Sequence, residues 1–354
     1  MPRTTGAPRR RTLQDVAEAL DLTVNTVSRA LRDLPGVSDE TRARIKAEAE
    51  RIGYVPNANA RSLVLGSRRT IGVIITDLAN PFFNDLVTAI EEQAIQEGYT
   101  LLLLLSDEDP DREQFAVDTA LRSGVDGIIA VPVQGRSNPW TAVTKAGIPL
   151  VIVARELPDL EADFYSSDNE TGRRMTTAAL IERGARDIVL VEEDLQISTV
   201  AHRLGGFRDA LEAHGIPFDS RRTALVPSRR TARGASLWRG EDAHRVGVDL
   251  LESGRVPDAF MVGNDYFALG IYAALRDRGI RVPDDVMVIG WGDYPFSRYM
   301  DPPLSTVRLP VVEVARRATQ RLLSLLNGTA TEGVVADYIE PDVMLRASTG
   351  DGSR

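Results

Sequence analysis

From Ile71 onward the chain alternates short, unbroken apolar runs with helical stretches, and this alternation limits the fold more than any other feature. The runs are IGVIITD (71–77), YTLLLLLS (99–106), DGIIAV (126–131) and IPLVIVA (148–154). Near Asp168 the cycle restarts, with RDIVLVE (186–192), DAFMVGN (258–264) and DVMVIGW (285–291). A continuous apolar strand is buried on both faces, which requires a parallel sheet with helices above and below it. The stretch is long enough for two such sheets. Doubly wound sheets bind ligands beyond the carboxyl ends of their strands, so the loops after the strands are the place for a site.

The first 69 residues have a different texture. LQDVAEALDLTVNTVSRAL (13–31) reads as two short amphipathic helices with almost nothing between them. Leu13, Val16, Ala17 and Leu20 form one apolar stripe, and Val24, Val27, Ala30 and Leu31 a second. Asp21 tolerates the left-handed conformation that such a tight turn needs. Thr23 can cap the second helix through its hydroxyl. Two helices joined by a three- to four-residue turn make a helix-turn-helix, although an ordinary helical hairpin has the same pattern. A third helix starts at Ser38 and stops at Gly53, with Ile45, Ala49 and Ile52 on one face. Residues 57–65 make at most a helix with too few apolar residues to stand alone.

Charge separates the same two regions. The net charge of −9 looks wrong for a nucleic-acid binder, but residues 1–69 carry 13 Lys+Arg against 8 Asp+Glu and the remainder 29 against 43. A basic head on an acidic body fits a DNA-binding domain joined to a ligand domain. There is no cysteine, hence no disulfide, thiol nucleophile or thiolate metal site. No apolar run approaches membrane-spanning length, and the basic N-terminus is followed by no apolar segment of signal-peptide type. The expectation is a cytoplasmic protein.

TLQDVAEALDLTVNTVSRAL, VSDETRARI, GYVPNANARSL, RTIGVII, NPFF, SSDNETG, HRLGGF, VGNDYFALG and GWGDYPFSRY occur in that order. In order and spacing this set resembles the LacI/GalR family of bacterial transcription regulators, from Thr12 to about Arg346. The resemblance implies an α/β chain with an N-terminal helix-turn-helix headpiece (10–56), a hinge helix and linker (57–69) and an effector-binding core (70–346). The core would have two lobes, like a periplasmic binding protein. Lobe one would be about 70–167 and 303–330, lobe two about 168–302 and 331–346, with three crossings between them.

For DNA, the resemblance implies that the second helix enters the major groove, where base edges are distinguishable. Val24 and Asn25 take the base-reading positions: Val24 for apolar contact, Asn25 for hydrogen bonds, with adenine the best match. Val27 suits the core better than Val24, because it aligns with Leu31. Arg29 matches a base or phosphate contact, and Thr12, Thr23, Thr26 and Ser28 are candidate phosphate contacts. Leu63 occupies the hinge position that the family inserts between central base pairs of the minor groove, with Arg61 a backbone contact nearby.

For the effector, Phe82 and Phe83 match aromatics facing the cleft, at least one of them expected in the core. Arg155 follows the fourth strand, with Ala154 where the family often has aspartate. Asp168 sits at the crossover, Arg203 matches a ligand-binding arginine, Trp238 an aromatic against the ligand ring, and Asn264 a hydrogen-bonding position. The family usually has Gly-aromatic-Asp-Asp after the last strand; here it is Gly290, Trp291, Gly292, Asp293. Asp293 is then the candidate to replace the missing hydroxyl acceptor.

An enzyme is a weaker reading: no GxGxxG follows a strand, GxSxG is absent, and His202, His214 and His244 lack ligand spacing. A transport binding protein would have no use for the headpiece. A regulator with a degenerate cleft, answering to a protein partner, is the third alternative. The expected protein is a repressor, a homodimer on double-stranded operator DNA, controlled by a small polar effector such as a sugar. No cofactor, metal or membrane is expected.

Overall fold

The computed structural model describes residues 11–55, 67–135, 138–227 and 239–350. The chain forms two compact units that divide between residues 68 and 69.

The headpiece consists of α1 (Leu13–Leu20), α2 (Val24–Leu31) and α3 (Asp39–Arg51). Each has a side-chain cap. Thr12 and Asp15 close a reciprocal capping box on α1, Thr23 Oγ1 accepts from Thr26 N at 3.2 Å on α2, and Ser38 Oγ accepts from Thr41 N at 3.3 Å on α3. Asp21 ends α1 in the left-handed conformation (φ 54°, ψ 45°), which lets α2 start three residues later, at Val24. Val16, Ala17, Val27, Ala30, Ile45 and Ala49 form the core. So small a core leaves little margin, at roughly 1.5–3 kcal/mol per buried large aliphatic side chain. Arg42 supplements it by donating to the Ala30 and Leu34 carbonyls at 3.1 and 2.9 Å, which ties α3 to the end of α2.

The core opens with β1 (Thr70–Ile75), α4 (Pro81–Gln96), β2 (Thr100–Leu105), α5 (Pro110–Ser123), β3 (Gly127–Ala130), α6 (Trp140–Lys145), β4 (Leu150–Val153) and β5 (Asp163–Ser167). It continues with α7 (Asn169–Glu182), β6 (Ile188–Glu193), α8 (Ser198–Ala213), β7 (Thr223–Val226), α9 (Gly240–Glu252), β8 (Ala259–Val262), α10 (Asp265–Asp277) and β9 (Met287–Ile289). Last come β10 (Thr306–Arg308), α11 (Val311–Leu326), β11 (Ala336–Ile339) and β12 (Asp342–Met344). One parallel sheet has the order β11-β5-β4-β3-β1-β2, the other β7-β6-β8-β9.

Alternate residues of the apolar runs serve opposite faces. Ile71, Val73 and Ile75 pack with α4 and α11, while Ile74, Ile128 and Ile152 pack with α5 and α6. In the second lobe Val189 and Val191 face α9 and α10, and Ile188 and Leu190 face α7 and α8. Both helix pairs approach closely through glycine. A Cβ on Gly206 would lie 2.1 Å from the Glu170 carbonyl oxygen, and one on Gly270 2.1 Å from that of Gly240.

The lobe boundaries differ from the expected ones at the C-terminal end. β11 pairs parallel with β5, so residues around 331–341 belong to the first lobe, not the second. Asp163 explains the pairing: its carboxylate takes Val335 N at 2.7 Å and Arg321 Nε at 2.8 Å. Conversely β10, expected in the first lobe, pairs antiparallel with β12, and Ser305 bridges to Ile289 of the second sheet. Three chain crossings connect the lobes, and the last two lie further along the chain than the boundaries given above.

Candidate nucleic-acid interface and interlobe site

The first turn of α2 presents two side chains. Val24 is 38% exposed and Asn25 is exposed, whereas Val27, one turn on, is fully buried. A valine left at the surface of so small a core is available for apolar contact. Thr23 and Thr26 share a hydroxyl–hydroxyl hydrogen bond at 2.9 Å, and the Thr12 hydroxyl bonds Asp15 at 2.8 Å. Ser28 is half-buried on the same helix. The Arg29 guanidinium is spent locally: Nε and Nη2 donate to the Pro35 carbonyl, bracing the turn into α3. Arg61, Leu63 and Trp238 lie outside the described residues.

In the core the strand ends converge on charged pairs. Arg155, 5% exposed, follows β4 and forms a bidentate pair with Glu108 from the β2–α5 loop, with Nη1 to Oε2 at 2.7 Å. Arg203 on α8 makes a second fork, with Nε and Nη2 each 2.8 Å from an oxygen of Glu192 at the end of β6. Glu192 also faces the fully buried Arg173 on α7, at 3.7 Å. Both guanidiniums lie over the Trp291 ring, 4.5 Å from its centroid for Arg173 and 5.5 Å for Arg203. Burial presses the Arg173 pKa down, and Glu192 opposes it. Glu192, Arg173 and Glu108 were not picked out from the sequence. The acidic doublet at a strand's carboxyl end was the available signal.

Asp265 at the start of α10 organises the loop after β9. Its carboxylate accepts from Trp291 N, Tyr294 N, Ser297 Oγ and Thr306 Oγ1, at 2.5–2.9 Å. Gly292 sits in this loop at φ 131°, and a Cβ there would lie 2.7 Å from the Tyr294 ring. A side chain is therefore excluded at the position where the family resemblance leads one to expect aspartate. Asp293 does not replace it as an open acceptor. Its oxygens are taken by Arg308 (Nε, 2.9 Å) and Arg346 (Nη2, 2.5 Å), and its side chain is 3% exposed. The expectation of a ligand role for Asp293 is corrected accordingly.

Asp168 caps α7 through Thr171 N at 2.9 Å, and Asn264 caps α10 through Phe267 N at 3.0 Å. The Nδ2 of Asn264, 5% exposed, has no hydrogen-bond partner. Phe83 is buried in the first lobe, as expected for one of the pair, and Phe82 is half-buried beside it, with ring centroids 5.3 Å apart. Several polar contacts join the lobes here, among them Glu156 N donating to Ser198 Oγ at 3.1 Å and His202 Nε2 lying 3.6 Å from Glu156 Oε1. Tyr294 Oη donates to Asn80 Oδ1 at 3.3 Å, and Ser198 N donates to Gln134 Oε1 at 2.6 Å. Burial and the nearby Asp265 push the Tyr294 pKa up, so the phenol keeps its proton.

A capped helix-turn-helix unit, followed by a core of two parallel α/β lobes, defines the class of DNA-binding regulators with a periplasmic-binding-protein-like core. Residues 12–57 match the family model for bacterial regulatory proteins of the lacI family, and residues 177–349 that for a periplasmic binding protein-like domain. The transcriptional regulator GalR of Salmonella typhimurium (strain SL1344) is 31% identical over 91% of this chain and 92% of its own. The ribose operon repressor of Haemophilus influenzae is 29% identical over 95% and 98%. The crystal structure of the lac repressor dimer, bound to operator and the anti-inducer ONPF, shares a TM-score of 0.84 and 25% identity. That match covers 97% of this chain and 100% of the other. The chain belongs to the LacI/GalR family of bacterial transcription regulators. No helix among the described residues is long and apolar enough to cross a membrane.

Proposed function

We propose that the protein is a cytoplasmic transcription repressor, and not an enzyme. It binds a pseudo-palindromic operator as a homodimer, and a small polar effector held between the core lobes controls that binding. The observation that carries the DNA half is the exposure of Val24 and Asn25 at the start of α2, with Val27 buried behind them. Residues at this end of a recognition helix are the ones that reach base edges. Thr12, Thr23, Thr26 and Ser28 supply phosphate contacts, and Arg29 joins them by releasing the Pro35 carbonyl. The solved relative named above, a dimer on operator DNA with a small molecule bound, supports the same arrangement. Arg61 and Leu63 act at the operator centre, where a leucine wedge unstacks one base step and bends the duplex. The headpiece is residues 10–56, the hinge 57–69 and the core 70–346.

The effector half rests on side chains at the strand ends of both lobes, Arg155 with the aromatic Phe82 from one and Asp168, Arg203 and Asn264 from the other; the resemblance assigns Trp238 to the same site. A sugar or sugar derivative suits this set, because pockets of this type use few polar groups to orient many hydroxyls. Binding of such a ligand shifts lobe closure, and operator affinity changes with it by a reciprocal coupling.

The test is selection of bound duplexes from a random pool at near-physiological salt, with and without metabolite extracts. A recovered palindrome with a constant central step supports the reading, and Leu63→Ala then weakens binding to it. Recovery of only non-specific DNA under both conditions overturns it.

A further inference from the structure

Most acidic side chains that follow the strands of the second lobe already have partners. Glu192 is held by Arg203, Asp265 by four donors, and Asp293 by Arg308 and Arg346. Asp194 is exposed. Glu193, the last residue of β6, is different. It is half-buried, and no hydrogen bond or ion pair among the described residues engages its carboxylate.

The cations whose fields reach Glu193 come from both lobes: Arg239 and Arg203 from the second, Arg155 from the first. None of the three donates to it, although the buried Arg239 Nε has no partner. Arg203 pairs with Glu192, Arg155 with Glu108, and Arg239 donates to the Val226 and Pro227 carbonyls. Glu193 therefore has no direct partner for its carboxylate, and a second carboxylate, Glu192, stands next to it. Burial and Glu192 both push its pKa up, the response of an acid short of donors.

A donor stands close by without an acceptor. β6 and β8 pair in register with Val191 opposite Val262, and continuing that register sets Glu193 beside Asn264. Asn264 Nδ2 is buried and unpartnered. An unspent acceptor and an unspent donor thus lie side by side at the carboxyl end of the sheet, where ligands of doubly wound folds bind.

We propose that Glu193 is the effector-reading carboxylate of this site: it accepts hydroxyl hydrogens from an uncharged, hydroxyl-rich ligand and excludes sugars that carry a carboxylate or phosphate there. The proposal rests on the effector reading given above. Arg155 and Arg203 are each closed by a bidentate carboxylate, and the unpartnered guanidinium nitrogens of Arg173 and Arg239 are buried, so an acidic ligand meets Glu193 and Glu192 where these cations are already closed or out of reach.

The test uses the full-length protein and a panel of neutral pentoses, hexoses and disaccharides with their uronic acid and phosphate counterparts. Binding is measured by calorimetric titration and melting shift for wild type, Glu193→Gln, Glu193→Ala and the exposed control Asp194→Asn. The expected result is that a neutral sugar binds wild type and Asp194→Asn alike, that both Glu193 variants melt cooperatively, and that they bind about 10- to 100-fold more weakly. Unchanged affinity in Glu193→Gln overturns the role of Glu193 and leaves the sugar-responsive regulator standing. A charged sugar that binds wild type more tightly than its neutral counterpart overturns the selectivity. A wild type that responds to no member of the panel overturns this proposal together with the sugar reading.

Discussion

Arg203 and Glu192 meet fork to fork, with both N···O distances at 2.8 Å, on a buried strand end that also holds Arg173 and the Trp291 ring. One carboxylate thus carries two guanidiniums. Replacing Glu192 by glutamine leaves two cations facing each other out of water, so Glu192→Gln should destabilise the core by about 3–5 kcal/mol. Adding Arg203→Met should recover part of that loss, because it removes one of the stranded charges. Urea unfolding of the single and double variants checks this; a strictly additive double variant contradicts it.

Asn25 is exposed at the second position of α2 and makes no contact that the headpiece core needs. Asn25→Ala should therefore leave stability and non-specific DNA binding nearly unchanged. Affinity for the selected operator should fall by about 1–3 kcal/mol, with discrimination relaxed at one base pair per half-site. Competition binding with single-base operator variants reads this out, and a uniform loss across all sequences contradicts it.

Glu113 is fully buried in the first lobe, with Oε1 accepting from Val133 N at 2.6 Å and Trp140 Nε1 at 3.2 Å while Oε2 has no partner. Burial pushes its pKa up to about 7, from an ordinary 4.5, with the hydrogen bonds from Val133 N and Trp140 Nε1, and then Arg155, opposing. The folded state then binds a proton that the unfolded chain has lost. The contribution of Glu113 to stability is most favourable below about pH 4.5 and falls by roughly 3 kcal/mol as pH rises to about 7. Glu113→Gln abolishes this loss, so the variant gains on wild type between pH 5 and pH 8. Denaturant unfolding at the two pH values measures the gain, and an equal difference at both contradicts it.

Asp293 ties Arg308 and Arg346 across the junction of β10 and β12. Asp293→Asn should lower the melting temperature of the core, at a cost of about 3 kcal/mol. Affinity for whichever effector binds should stay within a factor of two. Thermal melts with effector titration separate these outcomes, and a large loss of effector affinity at unchanged stability returns Asp293 to the binding site.

The sequence revealed β1, β2, β3, β4, β6, β8 and β9; all but β2, a half-buried edge strand, are buried on both faces, where period and composition agree. β11 escaped because ADYI alternates, with Ala336 and Tyr338 exposed, and its place at the sheet edge depends on Asp163, far away in the chain. The headpiece was legible to single residues, because Thr12, Asp21, Thr23 and Ser38 act on neighbours within three or four positions. Of the candidate site, sequence position placed Arg155 and Asn264 just after strands and Arg203 on α8, against the end of β6. It did not place their partners.

By itself, then, the sequence determined what is local: helix caps, the tight turn between α1 and α2, the apolar period of each strand, and the basic head on an acidic body. Tertiary structure alone decided which charges meet. Glu108 and Arg155 lie 47 residues apart, Asp293 and Arg346 53, and Asp163 and Arg321 158. Each pair forms because strand order and lobe crossings bring remote loops together, a matter of chain topology that no local pattern encodes. The carboxylate left over from this pairing is Glu193, and its vacancy is visible only once every other partner has been placed.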